Sequence, residues 1–145
     1  MDYKIINTAI YDLVDEEISR VADDAYAEDG TPLYDGIVIH SKDKAEIKRL
    51  QADVINTIVR SLYDLVTIKP SDKEGNPILS FYVPDIDTST EPIIAEELNR
   101  FMVLSICYLW LRAHAADKAE DYATRANDAI SKASALLHTR KRPTR

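Results

Sequence analysis

Between Phe101 and Leu111 every residue but Ser105 is apolar. Wound as a helix, this stretch has no polar side. A helix that is apolar all round is stable only inside other structure, either a protein core or a bilayer. A bilayer span needs about 20 such residues in a row, and this run stops well short of that. The segment therefore predicts a central helix around which the rest of the chain is wrapped. The 145 residues make a domain of ordinary size, able to bury such a core without a disulfide or metal staple. The one cysteine, Cys107, allows no internal disulfide and no cysteine-rich zinc site. The N-terminus, Met1-Asp2-Tyr3-Lys4, has neither the basic start nor the apolar stretch of a secretory leader. The expectation is a protein made in a reducing cytoplasm and working there or in a particle assembled there.

The wrapping can be read from where helix breakers fall. Three glycines (Gly30, Gly36, Gly75) and six prolines (Pro32, Pro70, Pro77, Pro84, Pro92, Pro143) leave residues 2–29, 37–69 and 93–142 uninterrupted. Proline inside a helix costs about 3 kcal/mol, so helices belong in such stretches. A first helix is predicted from about Asn7 to Ala27, with Ile10, Leu13, Val14, Ile18, Val21 and Ala25 on one face. Residues 30–41 form a connector in which Ile37-Val38-Ile39 either makes a short strand or tucks against the core. A second helix starts near Asp43, with Asp43 and Glu46 spaced as a capping box. It carries Ile47, Leu50, Val54, Ile58 and Leu62 on one face and ends near Tyr63 or Leu65.

From residue 65 to 84 the period changes to two. Val66 and Ile68 alternate with Thr67 and Lys69, and a polar tip, Ser71 to Asn76, leads into Ile78, Leu79, Phe81, Tyr82 and Val83. That pattern is a β-hairpin. Because Phe81, Tyr82 and Val83 put apolar groups on both faces of one strand, the hairpin is expected to stand outside the monomer's core and to be covered by a neighbouring molecule. The third helix follows Asp87-Thr88-Ser89-Thr90, with Pro92 in its first turn, and reaches about Ala113. After a break around His114–Asp117, a fourth helix presents a seam of Tyr122, Ala126, Ala129, Ala133 and Leu136. The predicted fold is mainly α, a four-helix arrangement with one β-hairpin inserted between helices two and three. Residues 1–137 form a single helical domain (hairpin at about 65–84), and residues 138–145 form a flexible basic tail.

Charge is unevenly distributed. In residues 1–30 the acids Asp2, Asp12, Asp15, Glu16, Glu17, Asp23, Asp24, Glu28 and Asp29 are opposed only by Lys4 and Arg20, so this segment alone carries the net charge of the whole chain, −7. The acidic balance argues against a generally basic nucleic-acid binder and against strong nucleic-acid binding. Asp12/Asp15/Glu16 and Asp117/Glu120/Asp121 have spacings that could hold Mg²⁺ against a triphosphate between facing helices. The paired Glu-x-x-Glu and Glu-x-x-Asp elements of such sites are missing, and a solvated helix face accounts for the acids. Asp85, Asp87, Ser89 and Glu96 match a calcium-loop count, but Thr90 stands where the sharp turn needs glycine and Pro92 interrupts it. A capping turn explains them better. His40, His114 and His138 form no metal motif, and Cys107 in the apolar run reads as a buried, inert thiol. No catalytic, cofactor-binding or metal-ligating residues are expected. The tail is the counterpart of the acids: Arg140, Lys141, Arg142 and Arg145 carry +4, leaving −11 on the rest. Such a segment either docks onto an acidic protein surface or onto DNA, or is a frayed terminus.

The run Phe101-Met-Val-Leu-Ser-Ile-Cys-Tyr-Leu-Trp-Leu-Arg112, followed by Ala113-His-Ala-Ala-Asp-Lys-Ala119 and Glu120-Asp-Tyr122-Ala-Thr-Arg-Ala126, resembles the C-terminal half of head–tail connector (adaptor) proteins of tailed bacteriophages and prophages. The resemblance covers residues 98–137. In that family an apolar helix ends in Leu-Arg, a short break follows, and a helix with an early tyrosine and many alanines comes next. The resemblance implies a non-enzymatic virion protein, cytoplasmic and then in the virion, that forms a homo-oligomeric ring between portal and tail. It implies portal or tail proteins as partners, no cofactor and no membrane. The hairpin, with Phe81 and Tyr82, would meet ring neighbours, and Arg140, Lys141, Arg142 and Arg145 would meet the portal. Three other readings stay open: a metal-dependent all-α nucleotide pyrophosphohydrolase, a stand-alone helical interaction module, and another phage assembly protein such as a tail-completion factor.

Overall fold

The computed structural model describes residues 1–139. Its axis is α4 (Glu91–His114), the helix that contains the apolar run. Packed on it are α1 (Asn7–Asp23), α3 (Lys44–Ser61) and α5 (Glu120–His138). A one-turn helix, α2 (Tyr34–Ile37), and a small antiparallel sheet complete the fold. The chain is therefore mainly helical, with four long helices and a hairpin between α3 and α4. Among the described residues no helix is long and apolar enough to cross a membrane.

The local reasons match the sequence patterns in most places. The Asp87 carboxylate accepts the Ser89 N–H at 3.0 Å and the Ser89 hydroxyl at 2.8 Å, and Pro92 follows in the first turn of α4. The segment that counts like a calcium loop is thus a capping turn. At its other end α4 carries Arg112 and His114 in its last turn, favourable near the negative end of the helix dipole. The chain breaks at Ala115, makes a 3₁₀ turn over Ala116–Lys118, and returns as α5. In α5 the buried stripe is Tyr122, Ala126, Ala129, Ala133 and Leu137. It closes on Leu137, one residue beyond the expected Leu136, which is only partly buried.

Four expectations are corrected. α1 ends at Asp23 and not near Ala27, because the chain turns into a loop closed by a Tyr26–Pro32 bridge, with Gly30 at φ +84°. Leu13, expected on the buried face of α1, is exposed, and Ile10, Val14, Ile18 and Ala22 form the stripe. Asp43 does not box with Glu46; its carboxylate accepts the His40 N–H at 2.9 Å and caps the turn leading into α3. Finally, α4 is not enclosed on every side. Ser105, Tyr108 and Leu109 stay half-buried, flooring a groove of about 300 Å³ between α3 and α5. Ile37 and Val38 tuck against the core as a helix turn and not as a strand.

The sheet contains β1 (Asp2–Lys4), β2 (Val66–Lys69) and β3 (Ile78–Phe81) in the order β1-β3-β2. Tyr3 lies opposite Leu79 on one side of β3, and Ile68 lies opposite Leu79 on the other. The hairpin is therefore part of a larger unit. Its side chains Val66, Leu79, Phe81 and Val83 are buried in the single core shared with the helices. The expectation that it stands outside that core is corrected: the monomer's own helices cover one face, and β1 supplies the missing third strand.

Candidate docking surfaces

At the sheet end, α1 begins without a side chain of its own to cap it. The cap comes from the hairpin tip: the Asn7 N–H donates to Asn76 Oδ1 at 2.9 Å, and Asn7 Nδ2 donates to the Gly75 carbonyl at 3.1 Å. Gln51 of α3 donates to Asn7 Oδ1 at 2.7 Å, binding a third element to the same point. Asn76 is in turn held by Asp72, whose carboxylate accepts both the Asn76 N–H (2.8 Å) and its side-chain amide (3.0 Å). These bonds, the Asn76 N–H first, hold the Asp72 carboxyl at a pKa of about 2, with Lys4 at 3.1 Å assisting. The Tyr3 hydroxyl donates to Asn99 Oδ1 at 2.6 Å, fixing β1 to α4, and its burial raises the phenol's pKa.

The solvent face of the sheet is polar apart from Ile78 and Tyr82. Asp2 and Lys69 pair across it at 2.9 Å. Of the two hairpin residues expected to meet a partner, Phe81 is 2% exposed and belongs to the core, while Tyr82 is 74% exposed. Tyr63, not singled out by the sequence, is 79% exposed. The Tyr82 N–H donates to the Leu65 carbonyl at 2.7 Å, which sets the phase of the ladder. Leu65, Thr67 and Lys69 then turn their backbone groups toward β3, and Val66 and Ile68 turn theirs toward the open edge. Ile68 shares the core-facing side with Leu79 and Tyr3, yet is 59% exposed. Among the described residues no strand covers this edge of β2.

A second surface lies on the acidic helix. Thr8, Tyr11, Asp12 and Asp15 of α1 face Ile39, His40, Ser41, Lys44 and Ile47 across a groove of about 600 Å³. The acids considered together in the sequence separate here. Glu16 and Glu17 pair with Arg20 at 3.5 and 3.0 Å, and Glu17 also accepts the Tyr122 hydroxyl at 3.0 Å. Burial, with the Glu17 carboxylate adding to it, pushes that phenol up to about 12. Asp12 and Asp15 line the groove, and among the described residues neither has an ion-pair partner. Among the described residues no three of His, Cys, Asp and Glu come together as a metal ion would require.

Elsewhere, His114 stacks on Trp110 with ring centres 3.8 Å apart, and Trp110 Nε1 donates to the Ile37 carbonyl at 2.7 Å. This histidine closes a helix and does not approach a ligand set. Cys107 is buried, and its thiol is pushed up by that burial. Arg140, Lys141, Arg142 and Arg145 lie outside the described residues. Compared with known proteins, the chain matches no family model, no curated protein and no solved structure.

Proposed function

We propose that this protein is a non-enzymatic assembly component, a head–tail connector of a phage or prophage that forms a ring between portal and tail. The observation that carries the reading is the uncovered edge of β2. There a core-facing side chain, Ile68, is left 59% exposed beside free backbone donors and acceptors, with Tyr82 at 74% on the next strand. Natural sheets blunt such edges, because they invite another chain to pair. The opposite edge is blunted in this way along its length, since Asp2 and Lys4 on β1 are both charged and ion-paired, whereas β2 carries one charge, Lys69 at its end, beside the exposed Ile68. An edge left apolar on one side only suits a neighbour. The order of elements in residues 98–137 adds support. The apolar α4 runs through Leu111-Arg112, breaks at Ala115, and α5 brings Tyr122 into its first turn.

The test is sedimentation of the full chain alone and with portal and tail proteins from the same genome. A complex of fixed stoichiometry with the portal is expected, and Tyr82→Ser should weaken self-association while leaving stability within about 0.5 kcal/mol of the wild type. Binding to tail proteins alone would favour a tail-completion factor. Turnover of nucleoside triphosphates with Mg²⁺ near 1 s⁻¹, lost in Asp12→Asn, would replace this reading with the hydrolase.

A further inference from the structure

We propose that the groove between α1 and residues 39–47 receives the basic C-terminal segment, residues 140–145, of a second copy of this chain. The inference rests on the ring reading for the claim that copies meet, and it names one contact through which they do.

The groove suits such a segment. Its floor is apolar, with Ile47 buried and Ile39 and Tyr11 half-buried. Its rim carries Asp12 and Asp15, neither ion-paired among the described residues. Arginine and lysine lay their methylene stems on apolar surface while their heads stay at a polar rim, so both halves of the groove have a counterpart in the segment. Lys44 and His40 stand on the opposite wall, and the His40 ring lies 2.9 Å from the Asp35 carbonyl. Arg140, Lys141, Arg142 and Arg145 are the strongest concentration of positive charge in the chain, whose remainder carries −11.

Reach decides which copy supplies the segment. Ser134 and Ala135, near the end of α5, share a groove with Ser61 and Leu62 at the end of α3. Earlier in both helices, Ala123 and Asn127 share one with Val54 and Thr57. The two helices therefore run in the same direction, and α5 continues past the end of α3, away from Lys44. The 18-residue α3 is about 27 Å long, and Lys44 is its first residue. Six residues fully extended span at most about 20 Å. Starting beyond the far end of α3, they fall short of the groove on their own copy. The contact is thus between copies, the segment of one in the groove of the next, and passed on in one direction it closes into a ring.

Charge reversal in the full chain tests this. One variant carries Asp12→Lys and Asp15→Lys; the other carries Arg140→Glu, Lys141→Glu, Arg142→Glu and Arg145→Glu. Circular dichroism checks that both fold; Asp12 and Asp15 are exposed. By sedimentation velocity at low salt the wild type should associate, and raising salt to about 0.5 M should weaken it. Each variant alone should associate at least about tenfold more weakly. Mixed together they should form a dimer that grows no further, because one supplies the only native groove and the other the only native segment. Combining all six substitutions in one chain should restore association. If either variant associates as well as the wild type, or the combined variant stays as weak as the single ones, the groove is not the contact, while the ring reading survives through the β2 edge. A wild type that is monomeric alone yet loses portal binding in the second variant would also overturn the inference, and would place the segment on the portal. A wild type that neither self-associates nor binds a portal would sink both readings.

Discussion

α4 is gripped in two different ways on its two flanks. On one side α5 lies along it through Tyr122, Ala126, Ala129, Ala133 and Leu137, a seam with three alanines at its centre. The attachment is close packing, spread over many weak contacts, and it needs no particular hydrogen bond. On the other side the sheet and the start of α1 are held by a few polar groups from distant parts of the chain: Tyr3 on Asn99, Asn76 on Asn7, Gln51 on Asn7, and Asp72 on Asn76. The first flank tolerates the loss of any one polar group but not a change in volume. The second has buried side chains of its own, Leu79 and Phe81 among them, and depends in addition on particular polar partners. The second flank also contains a carboxylate, Asp72, whose ionised form the fold favours.

Four measurements break or sharpen that contrast. The largest effect is expected at the shared centre, where neither flank is spared. Leu104 is buried in α4, and Leu104→Ala should destabilise the protein by about 2–5 kcal/mol in urea denaturation. Next is Ala129→Leu, which forces extra methyl groups into a fully buried position of the seam. A loss of about 1–3 kcal/mol is expected, and a stabilised variant would show that the seam is loose. Asn76→Ala removes the cap of α1, leaving the Asn7 N–H without its partner and Asp72 without the side-chain amide it accepts; about 1–2 kcal/mol is expected, with hydrogen exchange accelerated in the first turn of α1 and not in α5.

The smallest effect concerns pH. The Asp72 carboxyl titrates near 2 in the folded protein, below its ordinary 3.8. A depressed carboxyl contributes stability in full above its unfolded value, and that contribution disappears as the pH falls through the folded value. Between pH 4 and pH 2 the wild type should therefore lose stability relative to Asp72→Asn. Parallel curves for the two proteins over that range would show that Asp72 does not act through its charge.

What was legible in the sequence follows the same division. The helices announce themselves by local periodicity, so Ile47, Leu50, Val54, Ile58 and Leu62 were placed correctly on the buried face of α3. The alanine seam was readable up to its last residue, whereas the break before α5 was the least marked boundary, because no glycine or proline stands at 114–117. Phe81 and Tyr82 were grouped together, although adjacent strand residues point to opposite faces; only the covering helices decide which of the two is buried. β1 went unseen because three residues are too short for a periodicity argument, although Met1, Tyr3 and Ile5 alternate with Asp2 and Lys4. The cap of α1 could not be read locally at all, since Asn76 lies 69 residues from Asn7. Its one local trace is Asp72, whose bonds to the Glu74 and Asn76 N–H groups are a turn signature of aspartate. The acidic groove was hidden for a similar reason: Asp12 and Asp15 were visible, but the wall they face is built from residues 39–47.

The strand order also has a kinetic side. β2 and β3 are joined by a short turn and can pair early, whereas β1 must find β3 from more than seventy positions away, after α1 and α3 have been laid down between them. Closing a distant pairing is the slow part of assembling mixed folds. Until β1 arrives, the Leu79 and Phe81 side of β3 presents an open ladder in the middle of the future core, available to the corresponding strand of another nascent copy. Weakened docking of Tyr3 on Asn99 slows the arrival of β1 and high chain concentration speeds the competing encounter, so together they favour copies that exchange this strand over copies that close on themselves.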